Sequence, residues 1–556
     1  MSFPLSFWRA SGLTVALAVA AAQPLFGFSK SGTTYTTDGS QADVAAAIAD
    51  SSPGNIVNIP AGTFTWGTGG TSVYVNDAIT LAGAGPGATI INLDPTAPTG
   101  TTGTIVITAA AVVKGFTLNA PAFSGVVAFS IGSTSGWRIT NLTYTPGTTA
   151  QIAAGNGDTA YFCFISQSYG LIDSCNITGG GGSDELIFAT GPLNSWQTPD
   201  SLGGANNVYV EDCTFNGPGY VCDANANARL VVRFCTITGQ MKIDAHGFAS
   251  NTPRGVREIE VYDNAWTYNQ VGAFAEIELR GGTGMVFNNT SVLAASGYAW
   301  YFLTDYGYQG EWPNFGVNIS GATVGSSTII TTATPHGYQS GWNPIYVSVS
   351  NSTPTILGNY QVTIMGPNAF TLTPAVSVTG AGTSGSTTAY QTLYNYPITD
   401  QIGVGEDPKV GGSDPLYSWN NLQNGTPWPR ATKTPDSGAE TLYQSQVGNP
   451  AASFAETDVI ATDRDVFMDL TVTGTFNGST GIGTGTTAQM SAITTAKTGV
   501  GFWVTDQGTW NNKAGGTNGQ LYVWSGSGWV LKYTPYTYPN PLRAPVPPSN
   551  LTISSP

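Results

Sequence analysis

The chain has 556 residues, of which 41% are hydrophobic and only 9% are charged, and its net charge is −15. The hydrophobic content is sufficient for a packed core and excludes a disordered chain, while the negative charge argues against nucleic acid and anionic membrane surfaces as partners. The scarcity of charge, together with 71 glycines, favours a β-rich extracellular protein.

The first 22 residues have the pattern of an export signal. Arg9 precedes an apolar run from Leu13 to Ala22, which ends in small residues. The run is shorter than the ~20 residues that span a bilayer, and no later segment of the sequence is long enough either. The sequence therefore predicts a signal peptide over residues 1–22, a secreted (extracellular or periplasmic) protein, and no membrane insertion.

The next elements are a short helix and two strand-like stretches. The helix is predicted from Asp43 to about Asp50, and Ser40 or Asp43 is available as its N-cap. The stretches 57–66 and 79–85 follow it and are rich in β-branched and small residues.

A short segment recurs from residue 137 onward at intervals of roughly 22 to 38 residues, as expected for the coils of a solenoid. Stacked coils place equivalent side chains ~4.8 Å apart, a spacing at which amides can hydrogen-bond along the stack. None of the cysteines has CxxC spacing, so we expect core residues and not disulfides or metal ligands. The repeat predicts an all-β, single-stranded parallel β-helix. Its recurring inward position is occupied by Leu142, Cys175, Cys213, Cys235, Asn264, Asn289 and Asn421.

This combination of features resembles the pectate-lyase-like superfamily of right-handed parallel β-helix proteins. The resemblance covers about residues 35 to 310. Its motifs are Asp38-Gly-Ser-Gln-Ala-Asp43, the stretch Val57-Asn-Ile-Pro-Ala-Gly-Thr-Phe-Thr-Trp66 and Ile79-Thr-Leu-Ala-Gly-Ala-Gly85, which look like the superfamily's N-terminal capping helix and first coils. The resemblance implies a right-handed helix whose open end is covered by residues 43–50, and an activity on polysaccharides.

Changes in the repeat divide the rest of the chain. The β-helix is predicted over residues 31–317, and residues 318–390 interrupt it as a small inserted β module. Coils are expected to resume over residues 391–450. Residues 451–546 are predicted to form a C-terminal β-rich domain, in which alternating aromatic residues such as those of 501–504 are typical of a packed core.

Chemistry is expected on the outer surface of the helix. Alternate residues of each strand face outward, so equivalent positions on successive coils form a ladder. If Cys222, Ala224, Ile243, Ala245, Ile277 and Leu279 point inward, carboxylates, a histidine and cations share one ladder. The predicted catalytic residues are Asp223, Lys242, Asp244, His246, Glu278 and Arg280. The predicted substrate-binding residues are Asn225, Arg254, Arg257 and Glu276.

The distribution of charge supports this site independently of the register. Residues 229–280 contain six of the 18 basic residues of the chain. In a chain so poor in charge, this concentration favours a site, although charges on a sheet face also pair across coils for solubility.

Two reactions use such a set of residues. In glycoside hydrolysis, Asp223 and Asp244 on adjacent coils would lie ~5 Å apart, which suits retention of configuration, whereas Asp223 and Glu278 would lie ~9.6 Å apart, which suits inversion. The superfamily resemblance does not choose between this reaction and elimination.

In β-elimination, Lys242, Arg280 or His246 would act on an acidic sugar, and Ca²⁺ would be a possible cofactor. The candidate Ca²⁺ ligands are Asp223, Asp244 and Glu278. The local cations favour an acidic polysaccharide as substrate. The alternative is a non-enzymatic extracellular structural or adhesion rod, since fold does not fix function. The oligomeric state is left open.

Overall fold

The computed structural model describes residues 27–544, apart from a set of internal gaps. Among the described residues, no helix is both long and apolar enough to cross a membrane. The signal peptide predicted over residues 1–22 lies outside the described part of the chain. The gaps are residues 122–124, 148–160, 181–184, 193–198, 248–254, 269–274, 294–297, 303–316, 326–327, 337–344, 354, 357, 374, 381, 383, 391–401, 404–413, 428–462 and 470–475.

An α-helix over Gln41–Asp50 follows the first two short strands. Ser40 has an extended backbone, and its hydroxyl accepts a hydrogen bond from the Asp43 backbone N–H at 3.3 Å. Val44, Ala47 and Ile48 of this helix are buried in the same apolar cluster as the first coils. The helix therefore covers one end of the core, as predicted, and of the two candidate caps Ser40 is the one used.

Three long sheets form the body of the molecule. The chain passes through sheet 1, sheet 2 and sheet 3 once in each coil, and equivalent strands of successive coils pair in parallel. Among the described strands of these sheets, antiparallel pairs occur only at ends of the stack, Ser29–Ser31 with Thr34–Thr36 and Leu422–Gln423 with Thr426–Pro427. The predicted all-β fold, a right-handed parallel β-helix, is confirmed.

The described strands of each sheet are as follows in chain order. Sheet 1 contains Ser29–Ser31, Thr34–Thr36, Ile56–Ile59, Thr80–Gly83, Val112–Lys114, Ser135–Thr140, Tyr169–Asp173, Val208–Glu211, Arg229–Arg233, Glu258–Tyr262, Thr283–Phe287, Leu416–Trp419 and Val466–Met468. Sheet 2 contains Gly62–Trp66, Thr89–Leu93, Thr117–Asn119, Thr143–Thr145, Asn176–Thr178, Thr214–Asn216, Thr236–Thr238, Ala265–Tyr268, Thr290–Leu293, Leu422–Gln423 and Thr426–Pro427. Sheet 3 contains Val73–Val75, Ile105–Ile107, Val127–Gly132, Tyr161–Ser166, Glu185–Thr190, Gly219–Asn225, Met241–Ala245, Ala275–Leu279 and Tyr298–Phe302.

The recurring column lies at the turn between sheets 1 and 2. Each column residue is buried and follows a residue with left-handed backbone, such as Asp212 (φ 51°) or Asn288 (φ 55°). Asp and Asn tolerate this conformation better than other side chains with a Cβ, which explains their recurrence there. The Asn264 amide donates to Asn289 Oδ1 at 3.0 Å, and the Asn289 amide donates to Asn421 Oδ1 at 2.9 Å.

All five cysteines are buried and free, as predicted. Cys175, Cys213 and Cys235 occupy consecutive positions of the column, and Cys163 and Cys222 lie in sheet 3 with their side chains in the core. The thiols act as small apolar side chains in the stack.

Two further units are attached to the helix. A closed six-stranded antiparallel sheet is formed by Val317–Ala322, Ile329–Thr332, Ile345–Thr353, Gly358–Gly366, Ala369–Thr373 and Ser384–Tyr390. A four-stranded sheet near the C-terminus is formed by Ile482–Gly485, Gly501–Val504, Gln520–Trp524 and Trp529–Tyr533. The remaining described helices are the α-helix Thr487–Ser491 and the 3-10 turns Thr68–Gly70 and Pro541–Arg543.

The C-terminal unit, here called the tail (residues 476–544), packs on the outer face of sheet 1. Trp503, Trp510 and Tyr533 of the tail share one apolar cluster with Tyr262 and Phe287 of sheet 1. The strand Val466–Met468 pairs in parallel with Leu416–Trp419, so sheet 1 extends into the range that was expected to belong to the C-terminal domain. The sequence pattern missed this strand because it is only three residues long and comes after a long interruption of the repeat.

Candidate functional site

The outer face of sheet 3 carries the predicted site, and its register follows from the alternation of the strands. Cys222, Ala224, Ile243, Ala245, Ile277 and Leu279 are fully buried in the core, as the predicted register requires. Asp223 pairs in register with Asp244, and Asp244 pairs with Glu278. These three residues, here called the acidic column, therefore stack on successive coils about 4.8 Å apart.

Two cations flank the acidic column. The Arg280 guanidinium donates from Nε to Asp244 Oδ1 at 3.0 Å and from Nη2 to Asp244 Oδ2 at 2.5 Å, a bidentate pair. Lys242 Nζ lies 3.3 Å from Asp244 Oδ2 and donates a hydrogen bond to Glu278 Oε2. Lys242 Nζ also lies 4.3 Å from the centre of the Tyr220 ring. Asp244 is thus the centre of a network of alternating charge.

These charged side chains are nearly inaccessible to solvent. Asp244 is 1% exposed, Arg280 4%, Asp223 5%, and Lys242 and Glu278 8% each. Exposed charges that merely improve solubility would remain in contact with water, so the solvated-face interpretation does not apply here. Removal from water also strengthens each electrostatic interaction within the group.

The environment moves the pKa values of neighbouring carboxyl groups in opposite directions. Burial raises the pKa of Asp223 well above its usual value, and the nearby Asp244 charge raises it further. Burial also acts on Asp244, but Arg280 and Lys242 outweigh it and lower the pKa of that carboxyl. Asp223 Oδ1 is buried and has no hydrogen-bond partner among the described residues. One carboxyl group is therefore kept as an acid beside another that is held ionised.

His246 lies within the electrostatic reach of this network. Burial, with the neighbouring Arg280 charge, lowers the pKa of His246 to about 4, and its Nδ1 lies 3.0 Å from the carbonyl oxygen of Gly247. The imidazole is consequently neutral at neutral pH. Asn225 is buried at the end of the preceding coil, where its Oδ1 accepts a hydrogen bond from the Ala226 N–H at 2.9 Å.

Glu185 is a member of the site that the sequence analysis missed. It is half-buried, and it pairs in register with Tyr220, which in turn pairs with Lys242. Burial raises the pKa of Glu185 to about 7, and the Asp244 charge adds to the effect. Alternation places Glu185 with the inward residues Ile187 and Ala189, so the sequence pattern could not reveal it.

The structure places the other predicted residues differently. Arg257 is buried at the start of sheet 1 strand Glu258–Tyr262, and its Nη1 and Nη2 lie 3.4 Å from Asp414 Oδ2. Its predicted role in substrate binding is corrected, because the chain leaves sheet 3 before this residue. Glu276 belongs to the sheet 3 strand Ala275–Leu279. Arg254 lies outside the described residues.

The count of basic residues also combined two different faces. Arg229 and Arg233 lie on sheet 1, where Arg233 pairs with Glu211 at 2.7 Å and donates to the Tyr536 carbonyl oxygen of the tail at 2.7 Å. Of the six basic residues in 229–280, the structure brings Lys242 and Arg280 to the acidic column.

The acidic column does not fit the predicted Ca²⁺ site. Both oxygens of Asp244 already accept hydrogen bonds from Arg280, and Glu278 accepts one from Lys242. A Ca²⁺ ion needs six to eight oxygen ligands, and beside these carboxylates the positive charges of Lys242 and Arg280 already take its place. In the part of the chain that is described, no group of three or more His, Cys, Asp or Glu side chains is arranged to hold a metal ion.

Comparison with solved structures finds further β-helix proteins. An alginate lyase from a Paenibacillus species is similar over 49% of this chain and 97% of that chain, with 14% identity and a TM-score of 0.29. The tailspike protein of E. coli bacteriophage HK620, solved with a pentasaccharide, matches over 64% of this chain and 89% of that chain, with 10% identity and a TM-score of 0.30.

A third match is the catalytic domain of an α-1,3-glucanase, which covers 48% of this chain and 53% of that chain with 11% identity and a TM-score of 0.25. No protein-family model matches the sequence, and no curated protein matches it. At these levels of similarity, the activity of this chain has to be inferred from its own residues.

Proposed function

We propose that the chain is a polysaccharide-active enzyme that hydrolyses glycosidic bonds at the acidic column of sheet 3. The observation that carries the proposal is the pair Asp223 and Asp244. These carboxyl groups are neighbours on adjacent coils, and their surroundings move their pKa values apart. Glycosidases require this division between a carboxylic acid and a carboxylate.

In this reaction Asp223 is the general acid. Its proton passes to the glycosidic oxygen as the bond from that oxygen to the anomeric carbon breaks, while an oxygen of Asp244 bonds to the anomeric carbon. Asp223, now a carboxylate, then removes a proton from water, and the water oxygen displaces Asp244 and restores both groups. The strand spacing of about 4.8 Å is near the separation of roughly 5 to 5.5 Å that is typical of retaining enzymes, so we expect retention of configuration.

Arg280 and Lys242 position Asp244 and keep it ionised. Because both cations already have carboxylate partners in the protein, neither has the arrangement that β-elimination would need for the carboxylate of a uronate. The pairing therefore favours hydrolysis over elimination, and it removes the reason for preferring an acidic substrate. The export pattern of residues 1–22 supports an extracellular or periplasmic substrate.

The first test is a panel of polysaccharides assayed for new reducing ends and for the ultraviolet absorbance of unsaturated sugars. We expect reducing ends without absorbance. Asp223→Asn keeps the shape of the side chain and removes its proton, so kcat should fall by roughly 10²- to 10⁴-fold.

Asp263→Asn is the matched control for this variant. Burial raises the pKa of Asp263 to about 6, but this residue lies in the turn between sheets 1 and 2, away from the acidic column, and its substitution should leave turnover unchanged. Unsaturated products would contradict hydrolysis. Absence of cleavage across the panel would favour the structural rod.

A further inference from the structure

An aromatic surface continues the face of sheet 3 beyond the acidic column. The Phe164 and Phe188 rings are stacked, with centroids 5.2 Å apart and planes 5° from parallel. The Tyr161 ring meets both at an angle, with centroids 5.9 Å from Phe164 and 5.6 Å from Phe188. All three side chains are half-buried, in contrast to the nearly inaccessible acidic column. These residues are called the aromatic strip.

The aromatic strip and the acidic column are parts of one ladder. Phe164 pairs in register with Phe188, and Phe188 pairs with Asp223. The rings of Phe188 and Phe164 therefore lie about one and two coil spacings from Asp223, or roughly 5 and 10 Å along the helix axis. A pyranose chain that lay along the axis with one glycosidic bond at Asp223 would place its next sugars over these rings.

The charges of the surface indicate which sugars fit. Other outward positions beside the strip are Ser130, Ser166 and Thr190, which are uncharged. The ionisable groups nearest to it along the ladder are the carboxyl groups of Glu185 and Asp223. A uronate placed on the rings would have no cation beside it in the described part of the strip, because Lys242 and Arg280 are paired with Asp244 and Glu278. The apolar face of a neutral pyranose, in contrast, can pack on the rings.

We propose that the aromatic strip is a binding subsite for neutral pyranose units of the substrate, on one side of the bond that is cleaved. The position of this subsite relative to the cleaved bond rests on the proposed hydrolysis, but the binding of sugars to the rings does not require turnover. Phe188 holds the sugar next to the cleaved bond, and Phe164 holds the following one. The substrate class is thus a neutral polysaccharide.

The test measures binding in the Asp223→Asn protein by titration calorimetry, so that turnover does not interfere. The probes are tetrasaccharides of neutral glucose, galactose, mannose or N-acetylglucosamine units, together with tetragalacturonate as the charged counterpart. We expect at least one neutral probe to bind and tetragalacturonate to bind more weakly. Adding Phe188→Leu or Phe164→Leu should weaken the neutral probe about tenfold through loss of the ring contact.

Tyr74→Leu is the control. Tyr74 is an exposed aromatic residue in the same ladder of sheet 3, and the coils of Val106 and Ser130 lie between it and Phe164. It lies roughly 24 Å from Asp223 along the axis, too far for a tetrasaccharide. Unfolding midpoints confirm that each variant is folded. Tighter binding of tetragalacturonate, equal neutral binding by the phenylalanine variants, or no binding of any neutral probe would overturn the proposal. If the protein with Asp223 intact does not hydrolyse a polysaccharide whose neutral units bind to the aromatic strip, only the catalytic proposal is contradicted.

Discussion

The outer faces of sheets 1 and 3 both bury charged side chains, but the two faces differ in what satisfies them. On sheet 1 the tail supplies the partners: Tyr533 donates its hydroxyl to Glu260 at 2.5 Å, and Arg543 lies 3.1 Å from Asp173. On sheet 3 the described partners come from neighbouring coils of the same face, and Asp223 keeps one oxygen without any. On sheet 1 a second unit of the protein covers the charges, whereas on sheet 3 a carboxyl group whose pKa is raised lies beside one whose pKa is lowered, which is the pattern of an acid and base site.

Glu260 shows why a shifted pKa alone does not identify a functional residue. Burial raises the pKa of Glu260 to about 7, a shift comparable to that of Glu185 in the candidate site. Glu260 nevertheless accepts hydrogen bonds from the Gly203 N–H at 2.7 Å and from the Tyr533 hydroxyl. Glu260 is therefore enclosed in the contact between sheet 1 and the tail, whereas the outward residues of sheet 3 continue into the partly exposed aromatic strip.

The largest effect on stability is expected for Arg233→Met. Arg233 is fully buried between sheet 1 and the tail, and it pairs with the equally buried Glu211 and donates to the Thr537 carbonyl oxygen at 3.0 Å. Removing the cation breaks this buried pair and leaves Glu211 with Arg543, 3.3 Å away, as its remaining cation. The free energy of unfolding in denaturant titration should fall by about 3 kcal/mol, the lower end of the range for breaking a buried ion pair. Lys30→Met, which removes a solvent-exposed pair with Asp50, is the control and should change little. Equal small effects of both variants would mean that the sheet 1 face is not held by its buried charges.

A second effect concerns the pH dependence of stability. The pKa of Glu260 is raised from 4.5 to about 7 in the folded protein, so between these values the folded state binds a proton that the unfolded chain has released. The contribution of Glu260 to stability should therefore fall as pH rises from about 4.5 to about 7, and Glu260→Gln should remove this fall of about 3 kcal/mol. Glu258, whose pKa is also raised by burial, is present in both proteins and cancels in the comparison. If the free energy of unfolding changes with pH equally in the two proteins, Glu260 does not bind this proton.

The smallest effect is expected for Arg280→Lys on sheet 3. The bidentate Arg280 contact helps to lower the pKa of Asp244, and a lysine can replace only part of it. The acid limb of kcat/KM, which reports ionisation of Asp244, should move to higher pH, with a smaller change at neutral pH. An acid limb that stays in place would remove Asp244 from the role of the ionised carboxylate.

The repeat made much of the fold accessible to sequence analysis. The column from Leu142 to Asn421 and the inward residues of sheet 3 recur with the coil, so the stacking order and the face of Asp223, Asp244 and Glu278 follow from alternation alone. Ser40 could be recognised because capping is a local interaction.

Contacts between distant parts of the chain could not be derived in the same way. The tail covers Arg233 from about 300 residues away, and nothing in the local pattern of either segment indicates the other. For the same reason the sequence alone does not divide the described cations of 229–280 between the two sheets. The burial of the acidic column and its internal pairing depend on side-chain geometry, which the alternation does not specify.

The most direct test of the account exchanges one buried carboxyl group for an amide on each face and compares turnover of the same polysaccharide. Asp223→Asn and Glu260→Gln are equivalent changes at carboxyl groups whose pKa values are both raised by burial. We expect Asp223→Asn to lose at least about a hundredfold in kcat and Glu260→Gln to keep wild-type turnover at a temperature where both are folded. Equal turnover in the two variants would contradict the assignment of the active site to sheet 3.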